Sequence, residues 1–254
     1  MRMTSVTPVA TSERVLYVLA CIARHGKAMA ARDLVEETGL PLSTIYRHLG
    51  VLKKWGWVQE HAHSGMYEPG PLAVQLAHGF DQHSWLMQAA RGEIEQLVAR
   101  SGESVGLLCY ADGQVICLDM QESKQALRCS FAKGRANSTV RGASAKALLA
   151  FLPEATRQHL LTQHNESSDT TLHNTDNDAL AAALARIRQQ GFATSENEID
   201  DGVWGVSAPI FSGKNQLIAT LSLMAPAQRA ATRHNDFIHM TVAAAHRISQ
   251  QLQE

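Results

Sequence analysis

The segment from Leu40 to Val58, LPLSTIYRHLGVLKKWGWV, contains three basic residues, Arg47, Lys53 and Lys54, and no acid. At roughly 100° per residue, Ile45, Leu49 and Leu52 gather on one side of a helix, with His48 at the margin. Ser43, Tyr46, Arg47, Gly50 and Lys54 gather on the opposite side, and Lys53 lies between. The outward side therefore offers a hydroxyl, a phenol, a guanidinium and an ammonium, with no carboxylate to oppose them. Arginine can grip guanine O6 and N7 through two hydrogen bonds, Ser43 and Thr44 can meet bases or phosphate, and lysine neutralises phosphate. The free amides of a helix start also attract phosphate, and Gly50 allows close approach to another backbone. A basic stripe alone describes most solvated helix faces, so its setting must decide.

The setting is a set of short helices. Ser12 can cap a helix carrying Val15, Leu16, Leu19, Ile22 and Ala23, which Gly26 stops. A second helix spans Ala30 to Thr38, carries Arg32 and ends at Gly39. Pro41 and Ser43 start the third. Beyond Gly56, extended segments Trp57 to His61 and Met66 to Pro69 flank a His63-Ser64-Gly65 turn. Three helices and a hairpin make a winged helix-turn-helix, which turns the acid-free face into a DNA-reading surface. Arg32, Ser43, Thr44, Tyr46, Arg47, Lys53, Lys54 and the wing residue His63 are its candidate DNA contacts. His61-x-His63 also has the alternation of a metal pair, but no third ligand is near in sequence, and alternating strand histidines often face solvent.

Pro71 to Phe80 and Ser84 to Arg100 read as helices of a bent connector. ESVGLLCYADGQVICLDMQ reads as two strands around Ala111-Asp112-Gly113. Ser144 to Phe151 and Ala179 to Gln190 read as helices, with Gly191 ending the second. VWGVSAPIF and QLIATLSLM are apolar strands joined by Ser212 to Asn215, and Gln228 to Gln251 is a closing helix. Two strand pairs joined by turns favour an antiparallel sheet covered by helices. The polar stretch HNESSDTTLHNTDND reads as a surface loop. The expected organisation is α+β: a flexible tail over 1–11, a winged helix-turn-helix over 12–70, a helical linker over 71–101, and a second domain over 102–254.

The chain has 254 residues, 45% of them hydrophobic, and a formal net charge of -1, so any DNA-binding charge must be local. Its 4 cysteines, Cys21, Cys109, Cys117 and Cys129, include no CxxC pair. The absence of an apolar leader or spanning run predicts a cytoplasmic protein with reduced thiols and no membrane partner. Glu196, Glu198, Asp200 and Asp201 are clustered in sequence. No glycine-rich phosphate loop, nucleophile elbow or His-Glu-x-x-His pattern accompanies them, so catalysis is not expected. No cofactor is expected.

The chain from Ser12 onward resembles the IclR family of bacterial transcription regulators. The resemblance rests on SERVLYVLACIARHG, GLPLSTIYRHLGVLKKWGWV and YEPGPLAVQLA, then on GASAKALLAFLP, IRQQGFATSENEIDDGVWGVSAPIF and LIATLSLMAP, in the family's order and spacing. It implies a winged helix-turn-helix, a helical linker and a GAF-like effector-binding domain. It further implies homodimers, or tetramers as dimers of dimers, on palindromic double-stranded operators, and a small organic acid as effector. Carried over by position, the effector pocket comprises Ala143 and Ser144 at a helix start, Ser195 and Glu198, Val203, Gly205, Ser222 and Met224, and Ala126 and Cys129. Arg141 sits close enough to pair with an acid, and Ser144, Ser195 and Ser222 suit a hydroxylated one such as a sugar acid. The family often has Cys or Ser at Gly205, Asp at Ser212, and a small polar residue at Met224. Each position has a plainer reading too. Ser144 can be a cap, Ser222 a satisfied strand hydroxyl, Cys129 a buried apolar residue, and Glu198 a structural hydrogen-bond partner. Trp204 reads as core or interface, and Asp200 with Asp201 as a solvated turn. Repression of a catabolic operon is the expected role; an activator of the same type and a metal-responsive regulator are the alternatives.

Overall fold

A computed structural model describes residues 10–111, 113–134, 136–167 and 173–253. The chain divides into two compact units, 1–84 and 85–254. Most of the expected tail, and Asp112 of the expected turn, lie outside the described residues.

In the first unit, α1 spans Thr11–His25, α2 Ala31–Thr38 and α3 Leu42–Lys54. The first helix takes in Thr11, which was assigned to the tail. Ala10, not Ser12, stands at its cap position, and its carbonyl accepts the Arg14 amide at 3.1 Å. Gly39 ends α2 in the left-handed conformation at φ 70°, which costs glycine nothing and lets the chain reverse into α3. The Thr38 hydroxyl ties this turn down by donating to Leu34 O at 2.6 Å and accepting the Leu40 amide at 3.2 Å. Val18, Cys21, Ile22, Leu34, Ile45, Leu49 and Leu52 fill the core between the helices.

The wing strands, β1 (Val58–Glu60) and β2 (Tyr67–Pro69), are shorter than expected and antiparallel. Met29 pairs with Tyr67 through hydrogen bonds of 2.8 and 2.7 Å in both directions, so the wing is fastened to the segment before α2. After the wing comes α4 (Pro71–His83), with Pro71 at its first position. None of its residues is buried, and Val74, Leu76 and Phe80 are exposed.

The second unit begins at α5 (Trp85–Ser101). Instead of bridging as part of a separate linker, α5 buries Leu86, Met87, Ala90, Ile94 and Leu97 in this unit's main core. The strands are β3 (Ser104–Ala111), β4 (Gln114–Gln121), β5 (Ala136–Asn137), β6 (Ala193–Glu196), β7 (Val203–Ser212) and β8 (Gln216–Pro226). They form one antiparallel sheet in the order β5-β4-β3-β8-β7-β6. Successive side chains alternate between its faces. Leu107, Trp204, Val206, Ala208, Leu221 and Leu223 join α5 and α10 (His234–Gln251) in one core. Leu108, Val115 and Cys117 pack with Ala145 and Leu148 of α6 (Ala143–Phe151) on the other side.

Two sequence expectations are corrected. The polar stretch expected as a loop is helical over 164–167 and 173–178, within α7 (Glu154–Ser167) and α8 (His173–Gln190); residues 168–172 lie outside the described residues. A helix anchored by packed residues such as Leu160 or Leu184 extends through polar positions because each added residue contributes its own backbone hydrogen bond. The closing helix is broken into α9 (Ala227–Ala230) and α10. At the break Arg233 leaves the helical conformation, donates to Ser101 O at 3.0 Å and lies 4.5 Å over the Phe237 ring.

The junction from wing to α4 depends on Gly70, whose amide donates to Trp57 O at 2.7 Å. A β-carbon there would lie 2.3 Å from Gly56 O, a backbone atom that cannot swing aside. Gly70→Ala is expected to destabilise the first unit by about 2 kcal/mol. Urea denaturation reads this out, and an unchanged midpoint would refute the close approach.

Candidate DNA interface and effector cavity

The two faces of α3 separate as the helical arithmetic requires. Ile45, Leu49 and Leu52 are buried, while Ser43, Tyr46, Arg47, Gly50 and Lys54 are exposed, Tyr46 by 54%. Arg32 and His63 are also exposed, and Thr44 is half-buried. Among the described residues neither Arg32 nor Arg47 forms an ion pair, so both guanidinium groups face solvent uncompensated. Lys54 lies over the exposed Trp55 ring at 6.0 Å.

Two residues differ from expectation. His48, placed at the margin of the packing face, is only 1% exposed, and its Nε2 is buried without a hydrogen-bond partner. Lys53 is exposed but ion-paired with Glu60 of β1, and this lysine holds the Glu60 carboxyl below the usual carboxylate range. Glu60 was missed because a wing residue opposite the end of α3 is visible only once the hairpin has folded back. His61 Nε2 lies 2.8 Å from Glu68. Hydrogen bonds from Gln59 and then His61 lower the Glu68 pKa. The His61-x-His63 alternation is thus half engaged within the wing. Among the described residues no three His, Cys, Asp or Glu side chains gather as metal ligands.

The second unit encloses a cavity of about 310 Å³ between the sheet and the start of α6. That is the lower end of the size range for small-molecule sites. Cys129, Arg141, Ala143, Ser144, Ser195, Glu198, Val203, Gly205, Ser222 and Met224 all line it. Ala126 does not; it is exposed in the segment after β4, where Arg128 is held by Glu122. Phe131, Ile199 and Asp200 line the wall and were missed. Asp200 was read as a solvated turn, and it is in fact both exposed and at the cavity edge. Trp204, by contrast, is buried and stacked on His234 at 4.6 Å, as a core residue.

The start of α6 organises the polar end of the cavity. Gly142, at φ 89°, occupies the cap position expected of Ser144. Its amide donates to Glu198 Oε2 at 3.0 Å, and the Ala143 amide donates to Ser195 Oγ at 3.0 Å. Lys146 Nζ, one turn into the helix, pairs with Glu198 Oε1, and Arg141 donates to Glu198 O. Lys146 was not singled out in the sequence, because its partner lies 52 residues away. The Ser144 hydroxyl bonds Ser222 Oγ at 2.9 Å, and Ser222 Oγ in turn bonds Ser207 Oγ at 2.8 Å. Burial pushes the Cys129 thiol pKa up, so this wall presents a neutral thiol. At Gly205 a β-carbon would sit in ordinary contact, 3.5 Å from Ser195 Oγ and 3.8 Å from Ala143 Cβ. A small side chain would fit there and take space from the cavity.

A winged helix-turn-helix with a cationic outer helix face, followed by an α/β domain around a small cavity, defines a DNA-binding transcriptional regulator with an effector-binding domain. Residues 11–62 match the IclR helix-turn-helix domain, and residues 81–250 match the domain described as "Bacterial transcriptional regulator IclR C-terminal". The chain belongs to the IclR family, whose members here are regulators and not enzymes. It is 28% identical over 211 residues to the HTH-type transcriptional regulator XynR of Escherichia coli K12, covering 83% of this chain and 84% of that one. It is 25% identical to KdgR of the same organism, covering 87% and 84%. A putative IclR regulator from Silicibacter sp. TM1040 shares the fold with a TM-score of 0.85 at 22% identity, covering 96% of each chain. An IclR homolog from Microbacterium hydrocarbonoxydans, solved with 4-hydroxybenzoate, matches with a TM-score of 0.70 at 23% identity, covering 96% and 99%.

The orphaned His48 gives the first unit a pH dependence. Burial, then the nearby Arg47 and Arg14, lower its pKa from the ordinary value of about 6.5. The unfolded chain therefore binds more protons between the folded and unfolded values. Stability is complete above about pH 6.5 and falls as pH drops through that value toward the folded pKa. His48→Leu should remove this loss. Exchange protection of the Ile45 and Leu49 amides, corrected for intrinsic rate, should fall between pH 7.5 and 5.5 in the wild type but not in the variant. Equal slopes would refute the assignment.

Proposed function

We propose that the chain binds a palindromic operator as a homodimer, or as a dimer of dimers, and represses transcription until a small organic acid enters the cavity. The observation that carries the DNA reading is the exposed, acid-free face of α3, with Arg47 free of any ion pair among the described residues. In a dimer the two α3 helices enter successive major grooves, so half-sites lie about one helical turn, roughly 34–36 Å, apart. Arg47 and Tyr46 read base edges. Ser43, Thr44, Arg32 and Lys54 meet phosphate and sugar, Lys53 exchanges Glu60 for phosphate, and His63 reaches from the wing. The exposed Val74, Leu76 and Phe80 of α4 support pairing of two copies there.

The cavity is the effector site. Its hydroxyls, the nearby Arg141 and the amides around Ala143 support an acid, and Phe131, Ile199 and Met224 supply an apolar wall. The volume fits a compact molecule, one ring or a short hydroxylated chain. Control requires that the acid bind the DNA-competent and DNA-released forms unequally. α4, the last helix of the first unit, and α5, the first helix of the second, carry the signal.

Two variants test the two halves separately. Arg47→Ala should weaken specific operator binding by about 1–3 kcal/mol at fixed salt, leaving the fold and the ligand response intact. Fluorescence anisotropy with an operator selected from genomic DNA measures it, and unchanged affinity would remove Arg47 from the interface. Ser144→Trp fills the cavity and should abolish DNA release by acids that act on the wild type, with operator affinity retained. A normal dose–response in that variant would rule the cavity out as the effector site.

A further inference from the structure

The place at the cavity's polar end that best suits an anion already contains one. Glu198 accepts from the Gly142 amide at the positive end of α6 and from Lys146, with which it forms an ion pair. We propose that Glu198 is an internal competitor for the ligand of this cavity: a ligand carboxylate takes over its hydrogen bonds to Gly142 and Lys146, and Glu198 moves out into water. This inference rests on the cavity being the effector site.

Three observations make the exchange physically sound. First, the partners are unequally buried. The Lys146 side chain is 15% exposed and that of Glu198 33%, so the carboxylate can reach solvent more readily than the ammonium. Second, the exchange conserves charge. Lys146 is mostly withdrawn from water, so leaving its ammonium without a partner is costly, and a ligand carboxylate replaces Glu198 one for one. A neutral ligand of the same shape leaves Lys146 unpaired and cannot displace it. Third, the displaced residue sits on a short loop between β6 and β7. Asn197 at φ 56° and Gly202 at φ 76° bound this loop, and the Gly202 amide donates to Asn197 Oδ1 at 2.6 Å. The loop touches α6 through Glu198 and through Ile199, whose Cγ1 would lie 2.9 Å from a β-carbon at Gly142. Removing the carboxylate from the helix start therefore loosens the main polar tie between the loop and α6, and ligand occupancy is read as loop position.

The test compares wild-type full-length protein with Glu198→Ala, using acetate and 4-hydroxybenzoate as carboxylate probes and acetamide and 4-hydroxybenzamide as neutral isosteres. Glu198→Ala should bind at least one of the two carboxylates about tenfold more tightly than the wild type by calorimetry, with no gain for the amides. Without ligand, the Gly142 amide should exchange faster in the variant, and saturating carboxylate should restore its protection. Glu198→Gln, which keeps an acceptor for Gly142 but releases Lys146, should show a smaller gain and covers the case in which the alanine variant folds poorly. Carboxylate binding that is unchanged or weaker in both variants overturns the competitor role. In that outcome the effector reading survives if Ser144→Trp still abolishes wild-type carboxylate binding. Failure of all four probes to bind either variant overturns the proposal as well. Loss of the Ser144→Trp effect overturns the cavity assignment itself.

Discussion

The alternation of β7 and β8 is the constraint on which the second domain depends. Trp204, Val206, Ala208 and Ile210 on β7, and Ala219, Leu221, Leu223 and Ala225 on β8, point into the core with α5 and α10. The intervening Gly205 and Ser207, and Thr220, Ser222 and Met224, must then face the side that α6 covers. A slip of one residue in the Gly205↔Met224 and Ser207↔Ser222 pairing would reverse both sets. It would turn three buried hydroxyls, of Ser207, Thr220 and Ser222, into the apolar core and the apolar set out of it. The register thus fixes which residues build the core and which build the cavity.

Hydrogen-bond supply shapes the cavity in turn. Ser207 and Ser222 are fully buried, and each finds a hydroxyl partner in a chain that ends at Ser144. The first amides of a helix lack partners within it, and at α6 they are met from β6 and its following loop by Ser195 and Glu198. Cavity residues from three distant stretches are therefore held by satisfied polar bonds rather than by apolar contact alone. Truncating one leaves a buried partner exposed to the desolvation penalty, which is larger than the net worth of the bond.

The fold and the two-sided burial of α3 were largely legible in the sequence because both rest on local periodicity. The two sides of α3, the stops at Gly26 and Gly39, and the strand pairs of the second domain all follow from spacing within a few residues. The misreadings have nonlocal causes. His48 is fully buried, with Arg14 of α1 nearby, which the helical wheel of α3 alone does not reveal. Lys53 is neutralised by a wing residue. The polar ends of α7 and α8 are helical because the packed parts of those helices carry them. Of the ten positions carried over by the family resemblance nine line the cavity, with Arg141 beside them, and spacing alone located none, since their partners lie 52 to 78 residues apart. Lys146 shows the limit: within GASAKALL it reads as one more helical lysine, and only Glu198 gives it a role.

The two polar surfaces solve opposite problems. On α3 the outer face carries no acid, Arg47 has no ion pair among the described residues, and the packing residues sit on the other side. There the water that solvates Arg47 keeps the unpaired charge inexpensive, and phosphate or guanine can replace that water directly. Behind Glu198, Lys146 is only 15% exposed, an unpaired charge there is more costly than in open solvent, and it is closed by a carboxylate from within the chain. An exposed cation can stay unpaired in solvent; one held mostly out of water is closed by a carboxylate. Lys53, exposed yet paired with Glu60, lies between these cases. It must give up the Glu60 carboxylate before it can take another anion, which Arg47 need not do. Of the two, Arg47 is the cation with no ion pair to break among the described residues.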